Sequence, residues 1–247
     1  MGTSSSYKGS TSKAARDLRD GIGEWAKDRA KTHGRPMPQR VVGQALNIPL
    51  FGRRVGDAPT GSGTSGSGKQ SGPRRVAQEY ASTAGRAAAL ARAFREGDRA
   101  ALEKAGLDFD QLQSLPSQAE MARAILDVVC DAQTSSDIPT EEQRDIASHL
   151  LDWVLDDVKN PVPPTAAATA EYAIGVMIAE IFISESGEVS STDATSRAEF
   201  IDAVYDTSNQ LAARAELSEE RTAPDRIADA IERGLRSLRH IYRTGEI

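Results

Sequence analysis

TAAATAEYAIGVMIAEIFISE, Thr165 to Glu185, is the most apolar stretch of the chain. Wound as an α-helix, it places Tyr172, Ile174, Val176, Met177, Ile178, Ile181 and Phe182 all around its circumference, which is the pattern of a helix buried on most sides. A helix with no broad polar face needs other helices to cover it. The prolines between Asn160 and Pro164 separate it from whatever precedes it, because proline cannot continue a helix.

Working outward, the neighbouring sequence supplies those covering helices. Upstream, Thr140 is placed to cap a helix with Glu141 and Glu142 in its first turn, and Ile146, Leu150, Trp153, Val154 and Val158 line one side. Before it, Ser117 to Ala132 carries an apolar stripe of Met121, Ile125, Val128 and Val129. A short helix is expected from Asp98 to Lys104 with Gly106 as its stop. An Ala-rich one is expected from Val76 to Arg95, with Ala84, Ala88 and Ala91 on a close-packing face and a stop near Gly97. Downstream, Asp193 to Ala215 turns Phe200, Ile201, Val204 and Leu211 inward. Ala223 to Tyr242 does the same with Ile227, Ile231, Leu235, Leu238 and Tyr242, and Pro224 suits its first turn. No run alternates as a strand would, so the fold class is all-α: a multi-helix bundle domain over 76–247.

The chain is 247 residues long, 39% hydrophobic and 27% charged, with a formal net charge of −6 and one cysteine. That length supports a core without staples, and a single thiol excludes both a disulfide framework and a Cys-rich zinc module. The longest apolar runs fall short of the roughly 20 residues that span a bilayer, and MGTSSSYKGS lacks the apolar stretch of a secretory signal. A cytoplasmic protein without a membrane partner is expected.

Charge divides the chain. Through Tyr80 there are 14 Lys/Arg against 6 Asp/Glu, net +8, and beyond it 16 against 30, net −14. The basic part therefore has an acidic partner or different surroundings. Residues 1–75 are expected to form a flexible, basic, Gly/Ser-rich N-terminal region. GDAPTGSGTSGSGKQSGP, Gly56 to Pro73, is too polar to offset its ordering entropy and reads as a linker. Two segments within the region have apolar content. From Ser12 to Lys31, Ala15, Leu18, Ile22, Trp25 and Ala26 follow helical spacing, although Gly21 and Gly23 each weaken a helix by about 1 kcal/mol. VVGQALNIPLF, Val41 to Phe51, is apolar but interrupted by Gly43 and Pro49. Both read as segments that dock on a partner.

Several motifs have a plainer explanation than chemistry. GSGTSG at Gly61 to Gly66 fits a dinucleotide-loop pattern, and GTSGSGKQ at Gly63 to Gln70 nearly fits a phosphate loop. Neither follows a strand, and Gln70 stands where a hydroxyl is needed, so both belong to the linker. His149, Asp152 and Asp156 fall at i, i+3 and i+7, a spacing that would suit a metal or acid/base site, but acidic residues abound here and a solvated helix face explains them. Asp127 and Asp131 get the same reading, and Cys130 reads as a small buried residue. The basic residues of the tail come singly or in pairs, with only Tyr7 and Trp25 as stacking surfaces before Phe51, so a protein partner is favoured over nucleic acid.

The extreme N-terminus has distinctive chemistry. Removal of Met1 leaves Gly2 as a free α-amine, whose pKa of about 7.7–8.0 keeps a useful fraction uncharged and nucleophilic at neutral pH, unlike lysine. MGTSSS also fits the permissive myristoylation pattern, but the Ala- and Arg-rich usage looks bacterial and argues against a lipid.

With MGTSSSY at the start, LEKAGLDFDQLQSL at Leu102 to Leu115 and AILDVVCDAQ at Ala124 to Gln133, the chain resembles the QatB component of the bacterial Qat anti-phage defence system. The resemblance implies a non-enzymatic protein with no catalytic residue, metal or cofactor of its own. Its partner is implied to be QatC, a QueC-like protein that would hold ATP and zinc and join a deazaguanine-type group to the amine of Gly2. An ATPase and a TatD-like nuclease are implied as further components. Residues then expected to meet the partner are Thr3, Ser4, Ser5, Ser6 and Tyr7 of the arm, Leu18, Ile22 and Trp25 of the first apolar segment, and Val41, Val42, Leu46, Ile48, Leu50 and Phe51 of the second. The alternative from the same letters is a nucleic-acid-binding adaptor using the basic N-terminal region. A hydrolase built on His149 with Asp152 and Asp156 is the weakest reading.

Overall fold

A computed structural model describes residues 12–29, 36–48, 73–130, 138–186, 194–219, 222 and 226–245. In chain order the helices are α1 (Lys13–Arg29), α2 (Gln39–Val42, running into a 3₁₀ turn at Gly43–Asn47), α3 (Pro73–Glu96), α4 (Arg99–Lys104) and α5 (Phe109–Gln113). They continue with α6 (Gln118–Cys130), α7 (Ile138–Leu155), α8 (Ala166–Ser186), α9 (Ala194–Ala213) and α10 (Ile227–Thr244). No strand occurs among the described residues.

α8 is the axis of the bundle. α9, α7, α10 and α1 pack directly on it, while α3 lies against α7 and α10. Ile174, Val176, Met177, Ile178, Ile181 and Phe182 are all fully buried, as expected for a helix covered from every direction. By length and composition α8 would also pass for a membrane span, with a mean hydropathy of 1.6, but 72% of that window is buried inside the protein, as befits a core helix.

Close helix contacts are made where side chains are absent. A Cβ on Gly85 of α3 would lie 2.9 Å from the backbone nitrogen of Ala228 at the start of α10, and one on Gly175 would approach the Cα of Asn209 on α9 to 3.2 Å. Helix ends follow capping chemistry. Asp98 and Asp108 accept the backbone N–H of Ala101 (3.0 Å) and Gln111 (2.7 Å) at the starts of α4 and α5. Gly97 and Gly106, at φ +73° and +86°, stop α3 and α4 in the left-handed conformation that glycine adopts without strain.

Three expectations are corrected. α7 begins at Ile138, so Thr140 lies inside its first turn rather than at the cap. Val158, expected inward, lies beyond the end of α7 and is 93% exposed, because the helix stops before its periodicity reaches that residue. The division at residues 75 and 76 does not follow the packing. α1 and the α2 turn belong to the same hydrophobic core as α3 to α10.

Candidate functional site

Gly2, Thr3, Ser4, Ser5, Ser6, Tyr7, Leu50 and Phe51 lie outside the described residues, as does nearly all of the Gly56 to Pro73 linker. The other residues assigned to partner docking are Leu18, Ile22, Trp25, Val41, Val42, Leu46 and Ile48, and each is at most 7% exposed, inside this chain's own core. Trp25 sits 6.0 Å from the ring of Phe200 on α9, which in turn is 6.3 Å from Phe182 on α8. The Arg19 guanidinium donates to the carbonyl of Glu185 (3.2 Å), and the Thr207 hydroxyl donates to that of Met37 (3.1 Å). An amphipathic segment must cover its apolar face, and here the surface that covers it is intramolecular. The expectation that these seven side chains await a partner is therefore corrected.

The same segment shows why its glycines are tolerated. Gly21 faces the Val41 side chain, and the Tyr242 ring lies over Gly43, leaving no room for a Cβ there. Two residues that read as helix weaknesses mark places where α1, the α2 turn and α10 approach one another.

His149 does not join Asp152 and Asp156. Its Nε2 is 2.9 Å from the Tyr205 hydroxyl of α9 and 3.4 Å from Oε1 of Glu180 on α8, and the Tyr205 hydroxyl itself donates to Glu180. Burial pushes the Glu180 carboxyl above the ordinary range. Asp145, one turn before His149, is also pushed up by burial. Burial likewise raises Tyr205, helped by its bond to Glu180, so the hydroxyl keeps its proton and acts as donor. Asp156 instead closes the turn after α7, accepting from the backbone N–H groups of Val158 (3.0 Å) and Lys159 (2.9 Å), bonds that hold its carboxyl low. Spacing along the histidine's own segment offers Asp152 and Asp156 and misses the one carboxylate, Glu180, brought by α8.

Deeper in the bundle, Glu142 is buried and accepts from the hydroxyls of Tyr80 on α3 and Ser184 on α8 (2.7 Å), while Thr83 donates to Gln143 (3.2 Å). These bonds tie three helices and satisfy the buried carboxylate. Cys130 is buried, and burial pushes its thiol up more than nearby Arg144 and Arg86 pull it down. Asp127 pairs with Arg144 at 3.0 Å on the surface. No group of three His, Cys, Asp or Glu suited to a metal ion occurs among the described residues.

Two surfaces went unread in the sequence. One is an open-sided groove of about 470 Å³ between the C-terminal end of α7, the N-terminal half of α8 and α9. Trp153, Glu171, Tyr172, Asn209, Leu217 and Glu219 line it, and the rings of Trp153 and Tyr172 stack at 4.2 Å with 12° between planes. The other is on α10, where Arg233, Arg236, His240 and Arg243 recur at i, i+3, i+7 and i+10 and are all exposed. Helical spacing would have shown the second; the first joins three helices and has no linear signature.

Comparison with known protein families, with characterised proteins and with solved structures gives no significant match.

Proposed function

We propose that this chain is a non-enzymatic interaction protein of an anti-phage defence system, which binds a QueC-like partner and presents the amine of Gly2 for covalent attachment of a deazaguanine-type group. The resemblance of MGTSSSY, LEKAGLDFDQLQSL and AILDVVCDAQ to the QatB family supports this reading, as does the low pKa of an α-amine relative to lysine. The observation that carries it is the order of the chain: the small-residue stretch MGTSSS precedes, by the six residues Tyr7 to Ser12, a helix, α1, fastened to the body through Leu18, Ile22 and Trp25. The chain from Gly2 to Ser12, just before α1, is about ten peptide units long and spans at most about 35 Å, enough to enter a partner's site while α1 stays in place.

The test is the intact mass of the full chain co-expressed with its QueC-like partner. Loss of Met1 plus an added mass is the expected result, and Gly2→Pro, with a ring-constrained secondary amine, is expected to abolish the addition without dissolving the complex. An unmodified Gly2 in complexes that protect cells from phage overturns the proposal.

One observation favours a second reading, as a nucleic-acid-binding adaptor. The arginines of α10 provide an exposed cationic stripe in addition to the basic N-terminal region. That reading requires DNA or RNA affinity that falls steeply with salt and drops on Arg236→Glu.

A further inference from the structure

The groove between α7, α8 and α9 combines three features that together define a ligand chemistry. Its wall includes the parallel ring pair of Trp153 and Tyr172. Two carboxylates, Glu171 and Glu219, line it, and Asp152 is near enough for its charge to be felt at Tyr172. Among the described residues, no lysine, arginine or histidine lines it. Glu171 is half-buried with neither a hydrogen bond nor an ion pair to any described residue, whereas the other half-buried acid of α8, Glu180, has Tyr205 and His149.

An aromatic face attracts a cation through its quadrupole, and a carboxylate beside it adds charge-assisted hydrogen bonds. A guanidinium meets both demands at once, since it is planar enough to lie on a ring and forked enough to take a carboxylate with two N–H groups, while an ammonium is a point charge that remains strongly hydrated. The open side of the groove bears on the source of the cation. A small free molecule is held by enclosure on most sides, whereas a side chain projecting from a peptide needs an opening for its backbone. Charge complementarity therefore selects an arginine on a protein partner.

We propose that this groove is a docking site for an arginine side chain of a partner protein, held between the Trp153–Tyr172 ring pair and the carboxylates of Glu171 and Glu219. The site does not involve Gly2, and its test needs no partner enzyme, so the two proposals stand or fall separately.

The experiment titrates the full-length chain into a fluorescein-labelled Gly-Ser-Arg-Ser-Gly peptide and follows anisotropy. Peptides with lysine or with citrulline, the uncharged isostere of arginine, replace the central residue in parallel titrations, and unlabelled arginine amide serves as competitor. The expected result is saturable binding of the arginine peptide, weaker binding of the lysine peptide, and a loss of about tenfold for citrulline, the size of one charge-assisted bond. Glu171→Gln, which keeps the shape of the side chain, is expected to weaken the arginine peptide by about tenfold as well. Glu103→Gln, an exposed acid on α4 away from the groove, is expected to leave it unchanged.

Equal binding of the arginine and citrulline peptides, equal losses in the two glutamate variants, or no saturable binding overturns the proposal. Arginine amide competing as well as the peptide would assign the groove to a small molecule instead and refute the docking role. Self-association of the unliganded chain that Glu171→Gln abolishes would make a second copy the occupant and refute it too.

Discussion

Replacing Trp25 by alanine separates a helix that belongs to the fold from one that waits for a partner. Trp25 is 6% exposed, its ring 6.0 Å from Phe200, and it lies on the same face of α1 as the buried Leu18 and Ile22. A buried tryptophan removes about 150–250 Å² from water, which at about 25 cal/mol per Å² comes to about 4–6 kcal/mol before any ordering cost. Truncations of large aromatic core residues cost about 3–5 kcal/mol, and about 3 kcal/mol is expected here because α1 stands at the edge of the bundle and can relax. In a protein of this size that lowers Tm by about 10 °C. The assay is urea unfolding of the isolated full-length chain followed by far-UV circular dichroism, with Trp153→Phe as control. Trp153 is only half-buried and stacks on Tyr172, so its truncation to another aromatic ring is expected to cost about 1 kcal/mol. A loss below about 0.5 kcal/mol for Trp25→Ala, the size of an ordinary surface substitution, would refute the packing of α1 and return its apolar face to a partner.

The glycines make a paired test: Gly23→Ala, where nothing lies within 4 Å of a new Cβ, is expected to stabilise the chain by about 0.5–1 kcal/mol. Gly85→Ala, which meets the Ala228 backbone at 2.9 Å, is expected to destabilise it by about 1–3 kcal/mol, and denaturant midpoints read both. Burial holds the Glu180 carboxyl above the glutamate value of about 4.3, against the pull of Tyr205 and His149 and with help from the charges of Asp145 and Glu142. Above the ordinary glutamate value the folded chain retains a proton that the unfolded chain has lost, so stability falls as pH rises through the raised folded-state pKa. Glu180→Gln keeps an acceptor for Tyr205 and removes the titration. Its stability relative to wild type is expected to grow as pH rises above the ordinary glutamate value, and a constant difference would contradict the assignment. The buried, raised thiol of Cys130 is expected to react with a disulfide reagent far more slowly in the folded chain than in urea, and equal rates would show the site to be open.

How much was legible follows the range of each interaction. Gly97 and Gly106 announced their stops correctly, because a helix terminus is settled by the residues within one turn of it. The short α5 was missed because five residues carry too little periodicity, although Asp108, its capping residue, was there to be read. Ser12 to Lys31 was recognised as amphipathic and assigned to the wrong surface, since its letters say that an apolar face must be covered and are silent about what covers it. Counting along one helix offers His149 only Asp152 and Asp156, which read as a solvated face, whereas the folded chain supplies Glu180 and Tyr205 from two other helices.

Composition and periodicity, then, were sufficient for the all-α class and for the central place of Thr165 to Glu185, because a helix apolar on all sides has no stable position except at the centre of others. Packing alone settled that α1 and the α2 turn lie within the body, that a tyrosine and a glutamate flank the histidine, and that two aromatic rings and two carboxylates share a groove. Those are contacts between residues tens of positions apart, and their partners are chosen by shape and burial when the helices assemble, not by spacing along the chain.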